Sequence, residues 1–99
     1  MRAEVDRYLA GVPETRLDGR LVGLIAPHAG LRYSGPVAAH AYARLRDRAG
    51  LVAVLVGPSH RAAFDGVAVY DRGAFETPLG AVPIDETTAA VLMEADGVV

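Results

Sequence analysis

Three histidines are the side chains of this 99-residue sequence best suited to chemistry, and two of them recur in one setting. His28 stands in APHAG, directly after the apolar run LVGLI, and His60 stands in GPSH, directly after LVAVLV. Each imidazole thus follows an apolar segment and a proline. Neutral imidazole is a common ligand for Fe, Cu, Zn and Ni, and two on adjacent loops can form one edge of a site completed by a carboxylate, a thiolate or a third imidazole. The chain has no cysteine, and Asp65, Asp71, Glu76 and Asp85 fall in no short ligand motif. On spacing alone, two readings therefore stay open: a metal edge, and histidines that hydrogen-bond loop backbone, which is the commoner case.

His40 differs from this pair. It lies in an expected helix three residues after Val37, roughly 60° from that position at 3.6 residues per turn, so it borders the buried stripe. A half-buried histidine bonded to a backbone carbonyl is the plainer reading, with proton transfer as the alternative. Tyr33 and Ser34 follow His28 closely enough to donate into the same crevice, although Ser34 better suits a helix cap. Ser59 beside His60 does not make a hydrolase pair, because adjacent side chains on an extended chain point apart. PHAGLRYSG lacks the lysine and spacing of a phosphate loop.

The elements that would position these groups read as follows. Val5, Tyr8 and Leu9 predict a short first helix stopped by Gly11 and Pro13. The runs over residues 21–27 and 51–58 read as strands buried on both faces, joined by a helix over 35–48 with Ser34 as cap, Pro36 in its first turn and Val37, Ala41 and Leu45 facing the core. Strand, helix, strand of this length is a βαβ crossover, which makes the strands parallel and brings both histidines to one edge, where open α/β sheets bind ligands. GVAVYD predicts a third short strand, ETPLGAVPID a turn and extended segment, and DETTAAVLMEA a helix capped by Asp85. DGVV suits the opening of a further strand. The expectation is one α/β domain over 1–99, three-layered, with a mostly parallel or mixed sheet and flanking helices, and incomplete.

Composition narrows the function classes. The formal charge is −2 and the 10 cationic residues are all Arg, spread from Arg2 to Arg72, with no basic stripe for nucleic acid. Bidentate anion contacts are one account of all-Arg usage; scattered, solvated positions are the simpler one, and no site is assigned from it. No apolar run reaches the ~18 residues of a membrane helix, and the first residues are too charged for a signal peptide. A cytoplasmic protein is expected. Hydrophobic residues are 52% of the chain, and the share is about 59% with glycine counted in place of tyrosine, against roughly 45–50% for globular proteins. That excess suggests an apolar face covered by a partner, and a homo-oligomer is one way to cover it.

The ordered motifs APHAGLRYSGPVAAHAYARL, VLVGPSHRAAFDGVAVY and FETPLGAVPID resemble the Memo-like family, also called AmmeMemoRadiSam system protein B. Members are commonly more than twice this length, so the chain resembles their N-terminal portion. The family is similar in fold to class III non-haem iron extradiol dioxygenases, whose metal sits at one edge of an α/β sheet. The resemblance implies that His28 and His60 are metal ligands, with the remaining ligands further along such proteins. It implies a divalent transition metal, Fe or Cu, and dioxygenase-like or other metal-dependent redox chemistry, in which His40 or Tyr33 would move protons. It equally implies a binding module for acidic or phosphorylated peptides, for which Arg32 and Arg61 would hold the anionic group. A partial domain that oligomerises without activity is the third reading.

Overall fold

The computed structural model describes residues 1–99, which divide into two compact units, Met1–Ala49 and Gly50–Val99. In the first unit, helix α1 spans Arg2–Ala10 and α2 spans Leu31–Tyr42, continuing as a 3-10 turn over Ala43–Leu45. The second unit holds an antiparallel hairpin, β1 (Ala74–Thr77) and β2 (Gly80–Pro83), followed by α3 (Glu86–Met93). The chain thus combines helices with a small sheet. No helix is long and apolar enough to cross a membrane.

The first unit is held by a close crossing of α1 on α2. A Cβ placed on Gly35 would stand 2.7 Å from Cε2 of Tyr8, so only glycine lets the ring lie against the backbone of α2. The ring is fixed in turn: its hydroxyl donates to Glu4 Oε1 at 3.0 Å, and the Arg7 guanidinium lies 5.3 Å from its centroid. The buried face of α2 is accordingly Ser34, Gly35, Ala38 and Ala39, a stripe of small residues. The expected core stripe through Val37 is corrected by this packing, since Val37 is 63% exposed. His40, expected to border the core, is exposed for the same reason.

The helix also begins earlier than the sequence suggested, at Leu31 after Gly30. Ser34 is not its cap. Its hydroxyl donates to the Ala29 carbonyl at 2.7 Å from within the helix, tying the first turn back to the segment that carries His28. Pro36 therefore sits in the second turn, where it removes the N–H that the Arg32 carbonyl would otherwise accept. The far end turns at Asp47, whose φ of 61° is the left-handed conformation that aspartate tolerates better than most side chains.

The two runs expected to pair as parallel strands form no ladder. The only named sheet is the β1–β2 hairpin, and Ile25 is 100% and Val56 93% exposed. A strand buried on both faces needs neighbours at its edges and helices above and below, and neither run has them. The accessible area reflects this: 8556 Å², against about 5,400 Å² for a folded monomer of this mass by the usual scaling.

In the second unit the hairpin pairs Ala74 with Pro83 through to Thr77 with Gly80. Thr77 fixes the turn, its Oγ1 donating to the Gly80 carbonyl at 2.8 Å and accepting from the Leu79 N–H at 3.1 Å. Tyr70 packs on Phe75 with centroids 5.4 Å apart. The strand expected in GVAVYD reduces to one parallel bridge, Val67 with Val98. Asp85 caps α3 as expected, accepting from the Thr88 N–H at 3.2 Å and also from the Thr88 hydroxyl. Asp85→Ala should lower the stability of this helix by about 0.5–2 kcal/mol, read as reduced helicity at 222 nm and a lower melting midpoint.

Candidate functional site

His28 belongs to the first unit. The irregular segment that carries it leads through Ala29 and Gly30 into α2, and the imidazole is exposed. Arg32 and Tyr33 are the second and third residues of that helix, both exposed, Tyr33 at 82%. His28, Arg32 and Tyr33 are therefore gathered at one helix end. His40 lies seven residues beyond Tyr33, on nearly the same face but about 10.5 Å further along the axis. One proton cannot pass directly between those two side chains across two helical turns.

His60 belongs to the second unit and sits in a bend followed by Arg61, both exposed. The loop is shaped by Ser59, whose hydroxyl donates to the Ala62 carbonyl at 2.6 Å and accepts from the Ala62 N–H at 3.3 Å. This places Ser59 in a local turn that holds the His60 loop. Arg32 and Arg61 take part in no ion pair, so both guanidinia are available to an anion.

No three His, Asp or Glu side chains cluster closely enough to hold a metal ion. Asp85 is committed to its helix cap and Asp71 to a 3.3 Å ion pair with Arg72. The chemistry on offer is thus two imidazoles on separate loops, with Tyr33 and His40 as proton-bearing groups on α2.

Sequence reasoning missed two features. Gly35 was not recognised as a packing residue, although a glycine three and four residues before Ala38 and Ala39 is the available signal for close helix approach. The second is an arginine-lined groove in the first unit, for which ARLRDR, with arginines at 44, 46 and 48, is the local sign.

Comparison with known proteins supplies the context for these residues. Residues 2–99 match the family described as Memo-like protein. A MEMO1 family protein of Methanothermobacter thermautotrophicus is 46% identical over 81 residues, covering 81% of this chain and 29% of the relative. One from Methanopyrus kandleri is 44% identical over 90 residues, covering 88% and 31%, and one from Thermotoga maritima 40% over 86 residues, covering 86% and 31%. No solved structure matches. The chain spans less than a third of the length of these curated relatives. With the match running through the His28 and His60 motifs alike, this chain belongs to the Memo-like protein family.

Proposed function

We propose that the chain carries two ligands, His28 and His60, of a transition-metal site in a Memo-like protein, with Fe or Cu as the metal. The observation that supports this reading is the repeated placement of an exposed imidazole after an apolar run and a proline, in two segments that the family match spans. In this reading residues 21–27 and 51–58 are strands of a mostly parallel sheet in a three-layer α/β domain. Ile25 and Val56, exposed within these residues, would then be core positions of that sheet. The histidines follow the carboxyl ends of those strands, where such sheets bind ligands.

The donors within residues 1–99 do not fit a complete site, since no three His, Asp or Glu side chains gather among them. What these residues can do is narrower. Each imidazole offers one nitrogen as a neutral donor while its other N–H fixes the ring. The phenol of Tyr33, five residues after His28 in the first turn of α2, is a group that could hold or deliver a proton at that end of the helix. Dioxygenase-like or other metal-dependent redox chemistry is the activity proposed for the whole protein.

Equilibrium dialysis of the chain against Cu(II), Zn(II) and Fe(II), with metal content read by mass spectrometry, tests the reading. Uptake approaching one Cu(II) per chain or per pair of chains is expected, with Cu(II) held most tightly, as nitrogen sites generally prefer. No uptake of any of the three above a histidine-free control protein would refute a metal-binding role for this chain.

A further inference from the structure

Five of the ten arginines gather on one side of the first unit, remote in sequence from both histidine motifs. A groove of about 720 Å³ between the 12–16 segment and the 43–48 segment is lined by Arg16, Arg44, Arg46 and Arg48, with Glu14 and Asp47 as its only acidic residues. Arg20 lines a smaller hollow of about 180 Å³ that shares Arg44 and Arg48 with the groove. Four guanidinia face two carboxylates, so the groove is electropositive in a chain whose formal charge is −2.

The arginines divide into two sets by what they do. Arg44 donates to the Thr15 carbonyl and Arg46 to the Leu9 carbonyl, and these bonds tie the segment after α1 to the segment after α2. They build the groove. Arg16, Arg20 and Arg48 have no such duty: no hydrogen bond or ion pair engages their guanidinia. Neither Glu14 nor Asp47 neutralises them, although both line the same space. The left-handed backbone at Asp47 turns the chain between Arg46 and Arg48, so that one short stretch supplies both a structural arginine and an unpaired one.

We propose that this groove binds a small phosphorylated molecule, with Arg16 and Arg48 holding the phosphate. An arginine fork matches phosphate oxygens two at a time, and Arg16 and Arg48, from the two segments that line this one space, offer two unpaired forks to such a group. The volume lies within the roughly 300–1,000 Å³ of small-molecule sites, which leaves room for an organic portion beside the phosphate. The charge excess is too small and too local for a nucleic-acid track, which needs a basic stripe. This site is separate from the histidine motifs and does not rest on the metal reading.

Calorimetric titration at low ionic strength with inorganic phosphate and, separately, with ribose 5-phosphate tests it. Both should bind, and tighter binding of the ester would assign the remaining volume to an organic group, whereas equal binding would assign the site to phosphate itself. Arg16→Ala and Arg48→Ala should each weaken binding on the order of tenfold, and the double variant ~100-fold, as expected for charge-assisted hydrogen bonds. Arg48→Lys, which keeps the charge and loses the fork, should fall between. Because neither guanidinium makes an internal bond, the circular dichroism of these variants should match the parent. Arg72→Ala, outside the groove, should bind as the parent does. Absence of binding to either probe would overturn the proposal, as would equal weakening in Arg72→Ala and Arg16→Ala.

Discussion

Cu(II) affinity should fall by more than ~100-fold when either His28 or His60 is replaced by alanine, because loss of groups that merely orient a ligand already costs 10–100-fold. The two single variants should resemble the double variant. A metal held by two imidazoles has no partial state of comparable strength, so removing the second donor after the first changes little. His40→Ala is the informative control. It removes an exposed imidazole from the same chain without touching either motif, and its metal content should equal that of the parent. If His28→Ala kept full uptake while His40→Ala lost it, the ligand assignment would be wrong. If all three lost the same third of their uptake, the protein would be binding metal through independent surface imidazoles. Oxygen consumption is worth measuring only in a protein that passes the first comparison.

The second large effect concerns stability and depends on the residue at position 8. Gly35→Val should destabilise the first unit by about 1–3 kcal/mol, the range of an overpacked interior, read from chemical denaturation followed by tyrosine fluorescence. A Cβ at this position would meet ring atoms of Tyr8 at 2.7 and 2.9 Å and Leu31 Cδ1 at 3.2 Å. The ring cannot swing clear without giving up its hydrogen bond to Glu4. Gly35→Ala is the subtler case, because alanine improves helix propensity by up to about 1 kcal/mol while its Cβ creates the clash. In a Tyr8→Ala background the two ring contacts are gone and only the 3.2 Å approach to Leu31 Cδ1 remains, so Gly35→Ala should be clearly less unfavourable there than in the parent. Such a difference is a coupling between neighbours of about 0.5–3 kcal/mol. Equal effects of Gly35→Ala with and without Tyr8 would mean that α1 does not rest on α2 as described.

These residues also show which features can be read from sequence. Helix α1 and the Asp85 cap were legible because their causes are local: a spacing of apolar residues, a stop at Gly11, an acceptor three residues before Thr88. The turn in ETPLG was legible for the same reason. The buried face of α2 was not, because Val37 is the more apolar choice and only the approach of Tyr8 selects Gly35 instead. Ser34 looked like a cap by type, but its hydroxyl serves the carbonyl of Ala29, which no local rule distinguishes beforehand. The two apolar runs were visible as runs, whereas their pairing depends on neighbours remote in sequence. Among the candidate ligands, the histidines announced themselves by repetition, while a third donor has no motif within these residues. The arginine groove is the reverse case, in which the residue type was plain and its gathering was not.

The parallel bridge between Val67 and Val98 sets an order of events in time. It is closed by Val67 N–H to Gly97 O at 2.8 Å and Val99 N–H to Val67 O at 2.7 Å. A Cβ on Gly66 would stand 2.2 Å from the Gly97 carbonyl oxygen, so this stitch admits no side chain there. Joining chain segments separated by ~30 residues costs about 3 kcal/mol of loop entropy from the length term alone, while a hairpin such as β1–β2 closes in ~1–10 μs on local contacts. On this ground the hairpin and α3 should form first and shorten the effective loop, with the stitch following. What forms last should open first, so the amides of Val67 and Val99 should exchange ahead of the hairpin amides in a hydrogen-exchange measurement.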